Sequence, residues 1–312
     1  MSRILGIGLL LGAGATGFAA AKLDVDGYGL FGNRELKATV ALLETGEKKP
    51  ESYASSFVED AVLVIFSRLE RDGYLVPKVT VELTLTNGAT ETFVWEQALG
   101  EPLPRDLAAT RVEFKIDPRV LYYFEEVRFA GLEAIPMKEA AHFFMETDAL
   151  FKFKKNRIYT PALLREGVSN LKNALEREGY QSASVTSTNL VVSTNSGAVT
   201  VDILIEEGPR SIVRSIEKVV TSSDTNEPPR VQNWMTNVVY SRMWQQDLEQ
   251  ELRREQYEKG FADARVEFTQ RAREAHADQV MVDLVARVTQ GKKIQVGEVR
   301  FEGEKHTRES MM

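Results

Sequence analysis

Histidines and carboxylates are the side chains of this sequence that could bind a metal or transfer protons. The histidines are spread along the chain, at His142, His276 and His306. His276 and Asp278 could supply two metal ligands, but a zinc site needs three or four, and no further ligand lies nearby in the sequence. The adjacent residues Glu206 and Glu207 would point to opposite faces of a strand, so they are not an acid–base pair.

The composition argues against other catalytic and binding classes as well. The 312-residue chain contains no cysteine, which rules out thiol chemistry and disulfide bonds. It also contains no Gly-rich phosphate loop, zinc-protease helix or Gly-x-Ser-x-Gly motif. Positive and negative residues interleave over a chain of formal net charge −7, so nucleic acid is not an expected partner. We therefore predict no catalytic residue, no metal site and no cofactor.

One short segment combines basic and aromatic side chains. It could contact anionic lipid headgroups or an acidic partner, although a solvated loop is the simpler interpretation. Its members are Phe151, Lys152, Phe153, Lys154, Lys155 and Arg157.

The first 21 residues have the layout of a secretory signal peptide. Arg3 is the only charged residue before Lys22, Ile4 to Phe18 is an apolar run rich in glycine, and Ala19 to Ala21 offer small residues for cleavage. A membrane anchor is the alternative, but the run is shorter than the roughly 20 apolar residues that a spanning helix needs. We therefore expect residues 1–21 to be a signal peptide and the protein to be exported.

A pattern that occurs three times indicates a series of small α+β modules. In each copy an amphipathic helix ends at Gly-Tyr or Gly-Phe, and two strands with alternating apolar residues follow. Glycine adopts the left-handed conformation of a helix cap without steric cost, so these dipeptides mark the helix ends. They are Gly73-Tyr74, Gly179-Tyr180 and Gly260-Phe261. Five residues before each aromatic lie Leu69, Leu175 and Gln256, so the third copy departs there.

The first copy predicts a strand from Leu23 to Phe31 that is turned by Gly32-Asn33, with Asn33 as a cap for the following helix. Helices are expected at Arg34 to Glu44 and at Pro50 to Asp72. A strand with one buried face then alternates apolar and polar residues. Its apolar members are Val79, Val81, Leu83 and Leu85.

Asn87-Gly88 predicts a hairpin after this strand. The return strand is either Thr92 to Trp95 or Arg111 to Ile116. We favour the later segment as the counterpart of the other copies, with residues 90–110 as an insertion.

The second and third copies are predicted from the same signals. In the second, Tyr122 to Phe129 is a strand that breaks at Gly131, followed by helices at Pro136 to Met145 and from Pro161 to Gly179. A hairpin joins Ala183 to Val192 with Ala198 to Ile205 and stops at Gly208-Pro209. The third copy has a strand from Ile212, a polar loop at Thr221 to Pro229, a helix through Leu248 and Leu252, and strands at Ala262 to Phe268 and Val280 to Val288.

This order of elements resembles the POTRA (polypeptide-transport-associated) domain, in which a strand, two helices and two strands follow one another. The first strand of the family is matched by Phe31-Gly32-Asn33, Val127 to Gly131 and Val299 to Gly303. The end of its last strand is matched by Glu206 to Pro209. The resemblance implies an α+β fold of tandem modules, each a three-stranded mixed sheet covered by two helices. The expected domains are 22–119 (with the insertion at about 90–110), 120–210, 211–292 and the start of a fourth at 293–312.

A tandem POTRA array behind a signal peptide resembles the periplasmic arm of outer-membrane assembly factors similar to BamA. The resemblance implies a scaffold in the periplasm, at the inner face of the outer membrane. Its implied partners are unfolded outer-membrane proteins, accessory assembly lipoproteins and a C-terminal membrane β-barrel beyond residue 312. The arm of a secretion or autotransporter-assembly transporter is an alternative. An exported enzyme or cell-wall-binding domain is an alternative of another class, which would need a cluster of polar side chains.

By the same resemblance, the second strand of each module is an exposed edge to which an extended segment can add itself. Backbone hydrogen bonds would then supply affinity that tolerates many sequences. The predicted edge residues are Val79, Val81, Leu83 and Leu85 in the first module, Ser184, Val185 and Val191 in the second, and Arg265, Val266 and Phe268 in the third.

Overall fold

The structure is a computed structural model that describes residues 20–44, 50–96, 101–146, 153–222, 227–295 and 297. The expected signal peptide, apart from its last two residues, and the expected fourth module beyond residue 297 lie outside the described residues. The chain divides into two compact units. Unit 1 is Met1–Glu125, Phe151–Thr160 and Val192–Val199, and unit 2 is Glu126–Leu150, Pro161–Val191 and Thr200–Met312. The strands of the described residues form three sheets. Each sheet together with its helices is called a module.

Module 1 has two helices and a five-stranded sheet. The sheet order is β1-β5-β3-β4, and β2 also pairs with β5. Strand β1 runs parallel to β5, while β3 is antiparallel to both of its neighbours. The elements are β1 (Lys22–Asp26), α1 (Gly29–Ala41), β2 (Tyr53–Ala54), α2 (Ser55–Arg71), β3 (Lys78–Leu85), β4 (Thr90–Trp95) and β5 (Ala108–Asp117).

The core of module 1 follows from two periodicities. In α2 the apolar residues recur at helical spacing and form one buried face, which includes Val58, Ile65 and Leu69. In β3 every second residue is buried, and β5 buries Val112, Phe114 and Ile116 in the same way. These residues belong to one hydrophobic cluster, so the helix face and the strand faces meet as the sequence predicts.

The first strand is shorter than the sequence predicts. It ends at Asp26, and Gly27 follows with a φ of +94°. A Cβ atom at Gly27 would lie 1.9 Å from the carbonyl oxygen of Ile116. In module 2, Gly131 holds the same place, since its Cβ would lie 2.2 Å from the carbonyl oxygen of Ile205. Gly27 is therefore the counterpart of Gly131.

The predicted role of Gly32-Asn33 as the turn after this strand is wrong. Both residues lie inside α1, which begins at Gly29. The N-cap position is held by Tyr28, whose side chain makes no cap hydrogen bond, so Asn33 is not the N-cap residue. The Asn33 Oδ1 atom instead accepts the backbone N–H of Tyr28 at 2.7 Å, and its Nδ2 donates to Asp26 at 3.2 Å. Asn33 thus holds the connection between β1 and α1.

Module 2 has the predicted order of elements. Its three strands form a sheet in the order β6-β8-β7. Alternate residues of β8 are buried, as in a strand with one face against helices. The Leu residues that repeat along α4 are buried as well. The elements are β6 (Tyr123–Ala130), α3 (Met137–His142), α4 (Pro161–Arg177), β7 (Ser184–Val192) and β8 (Ala198–Glu206).

Module 3 departs from the predicted two-helix layer, because a strand occupies the place of the first helix. The new strand, β10, pairs antiparallel with β9, and the sheet order is β10-β9-β12-β11. Trp234 of β10 packs against the module core. The single helix that the described residues show in this module begins after Ser241, whose Oγ accepts the N–H of Trp244 at 3.1 Å. The elements are β9 (Arg210–Ser222), β10 (Arg230–Val239), α5 (Arg242–Glu258), β11 (Arg265–Ala275) and β12 (Gln279–Gln290).

The α+β fold class of the prediction is therefore confirmed, with two differences in detail. Module 1 carries additional strands, and module 3 exchanges a helix for a strand. No helix among the described residues is long and apolar enough to cross a membrane.

Candidate functional site: the strand edges

The first predicted edge strand is not an edge. Strand β3 pairs with β5 on one side and with β4 on the other. Its backbone groups are therefore satisfied on both sides, and the prediction that Val79, Val81, Leu83 and Leu85 form a free edge is wrong. Three of the four side chains are fully buried. Both candidate return strands of the Asn87-Gly88 hairpin pair with β3, so the sheet gains a strand beyond the predicted three.

The second predicted edge strand is an edge. Among the described residues, β7 pairs with β8 on one side, and no strand lies on its other side. Of its nine residues only Val185 is buried. The strand carries no charged residue and no proline, which are the common devices that protect an edge against pairing. Its C-terminal residues Leu190 and Val191 are 45% and 55% exposed.

Polar contacts hold β7 to its own sheet and leave its outer side open. Ser184 Oγ donates to Glu206 at 3.4 Å, Thr188 Oγ1 donates to the carbonyl oxygen of Asp202 at 3.3 Å, and Asn189 Nδ2 donates to the Asp202 carboxylate at 3.0 Å. All three contacts are made to β8. The strand can therefore be approached from its free side without breaking a contact that fixes it.

The third predicted edge strand, β11, is also an edge in the part of the chain that the structure describes. Val266 is buried, whereas Arg265 and Glu267 are exposed. Five of its eleven residues are charged, and Arg271 forms an ion pair with Glu217. Charges of this kind make pairing with an apolar segment unfavourable. Strand β11 is thus a guarded edge.

Four further strands of the described residues, β1, β4, β6 and β10, also lie at sheet edges and are not predicted as edges from the sequence. Strands β1 and β6 each carry three charged residues. Strand β4 includes Val94, which is 54% exposed, but also the charged residue Glu91. Strand β10 carries exposed Val231 and Met235 and is interrupted by a bulge after Met235. A bulge breaks the regular row of backbone groups. Of these six described edges, β7 is the one that is both regular and uncharged.

The residues with catalytic potential do not converge. His276 lies in the turn between β11 and β12, where its backbone N–H donates to the carbonyl of Gln279 at 2.8 Å. The Glu207 carboxylate accepts the backbone N–H groups of Glu133 and Ala134 at 2.7 and 2.8 Å, while Glu206 contacts β7. The described residues contain no group of three His, Asp or Glu that could hold a metal ion, and His306 lies outside them.

The described part of the basic and aromatic segment packs on a tyrosine. The Lys154 ammonium lies 4.6 Å from the centre of the Tyr123 ring, and the Arg157 guanidinium lies 5.4 Å from it. Lys154 also donates to the carbonyl of Ser196 at 3.3 Å. These cations stabilise the fold locally, while Phe153 is 61% exposed. Phe151 and Lys152 lie outside the described residues.

Module 3 contains a cavity of about 530 Å³ with a polar wall. Lys218 is 5% exposed and donates to Glu255 at 2.5 Å, and Lys259 donates to the other oxygen of the same carboxylate at 2.5 Å. These two hydrogen bonds lower the pKa of Glu255. Gln290 donates to the buried Gln256 beside them at 2.7 Å. The groups satisfy one another, so the arrangement supports the fold of module 3.

Two motif residues that close the last strand of module 2 keep a turn in place. Gly208 has a φ of +70°, and its Cβ would lie 2.5 Å from Ser182 Oγ. Pro209 follows directly and precedes β9. Gly303, which the sequence predicts as the end of a first strand in the way of Gly131, lies outside the described residues.

The POTRA family model, described as "Surface antigen variable number repeat", matches residues 122–208, which include module 2 and strand β7. The predicted resemblance to the POTRA domain is thereby confirmed for this part of the chain. No curated protein matches the sequence.

The chain is also similar to solved POTRA structures. For POTRA domains 3–5 of BamA from Haemophilus influenzae the identity is 17%, over 87% of this chain and 96% of that one, with a TM-score of 0.33. For the N-terminal domain of Omp85 from Thermosynechococcus elongatus the identity is 17%, over 87% of this chain and 96% of that one, with a TM-score of 0.32. For POTRA domains 1–3 of Omp85 from Anabaena the identity is 19%, over 86% of this chain and 94% of that one, with a TM-score of 0.29. We infer the function of this chain from the family model and from the geometry of its strands.

Proposed function

We propose that this protein is the POTRA arm of an outer-membrane protein assembly or secretion factor. It would be exported to the periplasm by residues 1–21 and would hold other proteins without catalysing a reaction. The POTRA match over residues 122–208 supports the class of protein. The limits of the domains, at 22–119, 120–210, 211–292 and 293–312, stay predictions.

The observation that carries the proposal is the free edge of β7. An extended segment that adds itself there would pair with the unpaired backbone groups of the strand. Because β7 bears no charge, it would accept segments with many different side chains. Strands of unfolded outer-membrane proteins are segments of this kind, and so are extended segments of accessory lipoproteins. Of the two, unfolded outer-membrane proteins are the partners that we propose for β7.

A matched pair of valines tests the assignment to β7. Val191 on β7 and Val231 on β10 are 55% and 54% exposed, and both lie on edge strands. A lysine on an edge disfavours pairing. We expect Val191→Lys to weaken the binding of a labelled ten-residue peptide of alternating apolar and polar residues by about fivefold, which corresponds to about 1 kcal/mol. Val231→Lys should leave the affinity within about twofold of that of the unaltered protein, by the same conversion.

The readout is fluorescence anisotropy of the peptide, with circular dichroism to confirm that both variants are folded. A loss of affinity with Val231→Lys alone would place the binding edge on β10 and contradict the proposal for β7. Equal affinities for both variants, or no binding to the unaltered protein, would reject strand addition at these edges.

A further inference from the structure

The helix ends that define the repeat have one geometry in all three modules. Each is closed by two backbone hydrogen bonds, of which the longer-range one runs from the aromatic residue to the carbonyl five positions earlier. Glycine makes this possible because its φ is +89°, +99° and +90° at Gly73, Gly179 and Gly260. The bonds are Tyr74 N to Leu69 O at 2.9 Å, Tyr180 N to Leu175 O at 3.0 Å and Phe261 N to Gln256 O at 3.0 Å. The departure of Gln256 from leucine leaves this bond intact, because the bond uses the backbone.

The carbonyl group of each capping glycine makes a further contact that a helix cap does not require. It accepts a backbone N–H from the segment that leaves the module. Tyr122 donates to Gly73 and Ser211 donates to Gly179, both at 2.9 Å, and Ile294 donates to Gly260 at 2.8 Å. Tyr122 and Ser211 lie at the start of modules 2 and 3.

The space beside each glycine is filled by atoms of the next module or of the segment that leads to it. A Cβ at Gly73 would lie 2.7 Å from Ile158 Cγ2 and 2.9 Å from Leu121 Cδ1. A Cβ at Gly179 would lie 2.6 Å from Val239 Cγ1 and 3.2 Å from Arg210 Cγ, and one at Gly260 would lie 3.0 Å from the carbonyl oxygen of Ile294. Distances below 3 Å are not tolerated without movement of a neighbouring group. At Gly73 and Gly179 the glycine is therefore required by the next module as well as by the cap.

We propose that the helix-end glycine of each module is a docking site for the next module. The carbonyl group of this glycine fixes the residue at which the next module begins. The partner of each site is a short segment that offers one backbone N–H, and apolar side chains of the next module complete the first two sites. Arg210 adds to the second site, since its Nε donates to the carbonyl of Glu178 at 2.8 Å.

The third site supports this assignment through the sequence. Ile294 lies five residues before Val299, as Tyr122 lies five residues before Val127. Val299 and Val127 begin the two matching segments, Val299 to Gly303 and Val127 to Gly131, that the sequence predicts as first strands. Ile294, which donates to Gly260, thus holds the same sequence position relative to its predicted first strand as Tyr122 does in module 2.

Gly88 provides a matched control for the glycine substitutions. Its φ of +84° is close to that of Gly73, but a Cβ there would meet no atom within 4 Å. Gly88→Ala therefore reproduces the backbone strain of an alanine in the left-handed region without any contact to a following segment. The experiment measures amide hydrogen exchange, resolved to single residues by NMR, in the complete protein and its variants.

We expect Gly73→Ala to accelerate exchange at the Tyr122 amide by at least about tenfold, a loss of about 1.4 kcal/mol of protection, and to leave the Ser211 amide unchanged. Gly179→Ala should do the reverse, and Gly88→Ala should affect neither. If Gly73→Ala and Gly179→Ala accelerate only the amides of their own helix ends, the glycines are caps and the proposal is overturned. Should either variant fail to fold, exchange at the Ile294 amide in Gly260→Ala tests the proposal instead. The Cβ contact at Gly260 is the longest of the three, so this variant is the best tolerated.

Discussion

Asp283 provides a test of how module 3 holds its sheet together. Strand β9 has a bulge, since Val213 faces Val282 and Ser215 faces Asp283, which leaves Arg214 as the extra residue. Arg214 reaches Asp283 on β12 at 2.6 Å and Glu274 on β11 at 2.8 Å. The guanidinium thus connects three neighbouring strands, and Asp283 is the member of the cluster that is 15% exposed.

The contribution of Asp283 to the free energy of unfolding follows from the pKa of its carboxyl group. Hydrogen bonds from Arg214 and then from Ser215 lower the pKa of Asp283 from 3.8 to about 2. A shift of that size corresponds to about 2.4 kcal/mol at neutral pH. Because Arg214 is partly exposed, solvent screening reduces the contribution, and we expect Asp283→Asn to lower the free energy of unfolding by about 1–1.5 kcal/mol at pH 7.

The sign of the pH dependence is fixed by the direction of the shift. A carboxyl group with a lowered pKa in the folded state stabilises the fold fully above its unfolded pKa of about 3.8. The contribution is lost as the pH falls through the folded value of about 2. The difference between Asp283→Asn and the unaltered protein should therefore shrink by more than half between pH 7 and pH 2.5.

Urea unfolding followed by tryptophan fluorescence measures this difference. Trp234 and Trp244 pack against the core of module 3, whereas Trp95 lies in module 1, so a Trp95→Phe background makes the signal specific. The exposed pair of Arg253 and Glu249 at 2.7 Å is the control, and Glu249→Gln should cost less than about 0.5 kcal/mol. A loss for Asp283→Asn that equals the control, or that is as large at pH 2.5 as at pH 7, would refute the reasoning.

Two further substitutions test the corrected glycine and the buried lysine. Gly27→Ala should destabilise module 1 by about 2 kcal/mol more than Gly29→Ala, since both glycines have a positive φ but only Gly27 faces a carbonyl oxygen, at 1.9 Å, while Gly29 has no atom within 4 Å; equal losses in urea unfolding would contradict the assignment of Gly27. Glu255→Gln should destabilise module 3 by about 2–3 kcal/mol because it leaves the buried Lys218 without its carboxylate. Adding Lys218→Met should restore most of that loss, and no recovery in the double variant would show that the loss has another cause.

The parts of the fold that the sequence predicts well are those with strong local signals. The helix α4 begins at Pro161 as expected, and the hairpin of β7 and β8 has nearly the predicted bounds. Periodicity and turn residues determine these elements without reference to the rest of the chain. The first strand fails because the apolar residues Leu30 and Phe31 imitate a strand, although both are 89% exposed at the start of α1. The left-handed Gly27 was the signal that could have corrected it.

The binding edge depends on contacts that local sequence does not determine. Whether β3 is an edge depends on whether β4 stays beside it, and two segments compete as the return strand of one hairpin. Both are used, on opposite sides of β3. Strand β10 follows Pro228 and Pro229, and its alternation is too weak to separate it from a loop. The edge status of β7 was implied by the resemblance to the POTRA domain, whereas its short hairpin with β8 fixes only its paired side.

Amide hydrogen exchange of β7 with and without a bound peptide tests the central claim most directly. The probe is a synthetic peptide from a strand of an unfolded outer-membrane protein, added at saturating concentration. If β7 receives the peptide as an additional strand, protection should increase at alternate amides between Ser184 and Val191, while β3 and β11 stay unchanged. Binding that leaves every amide of β7 unprotected, or that protects β11 instead, would contradict the account.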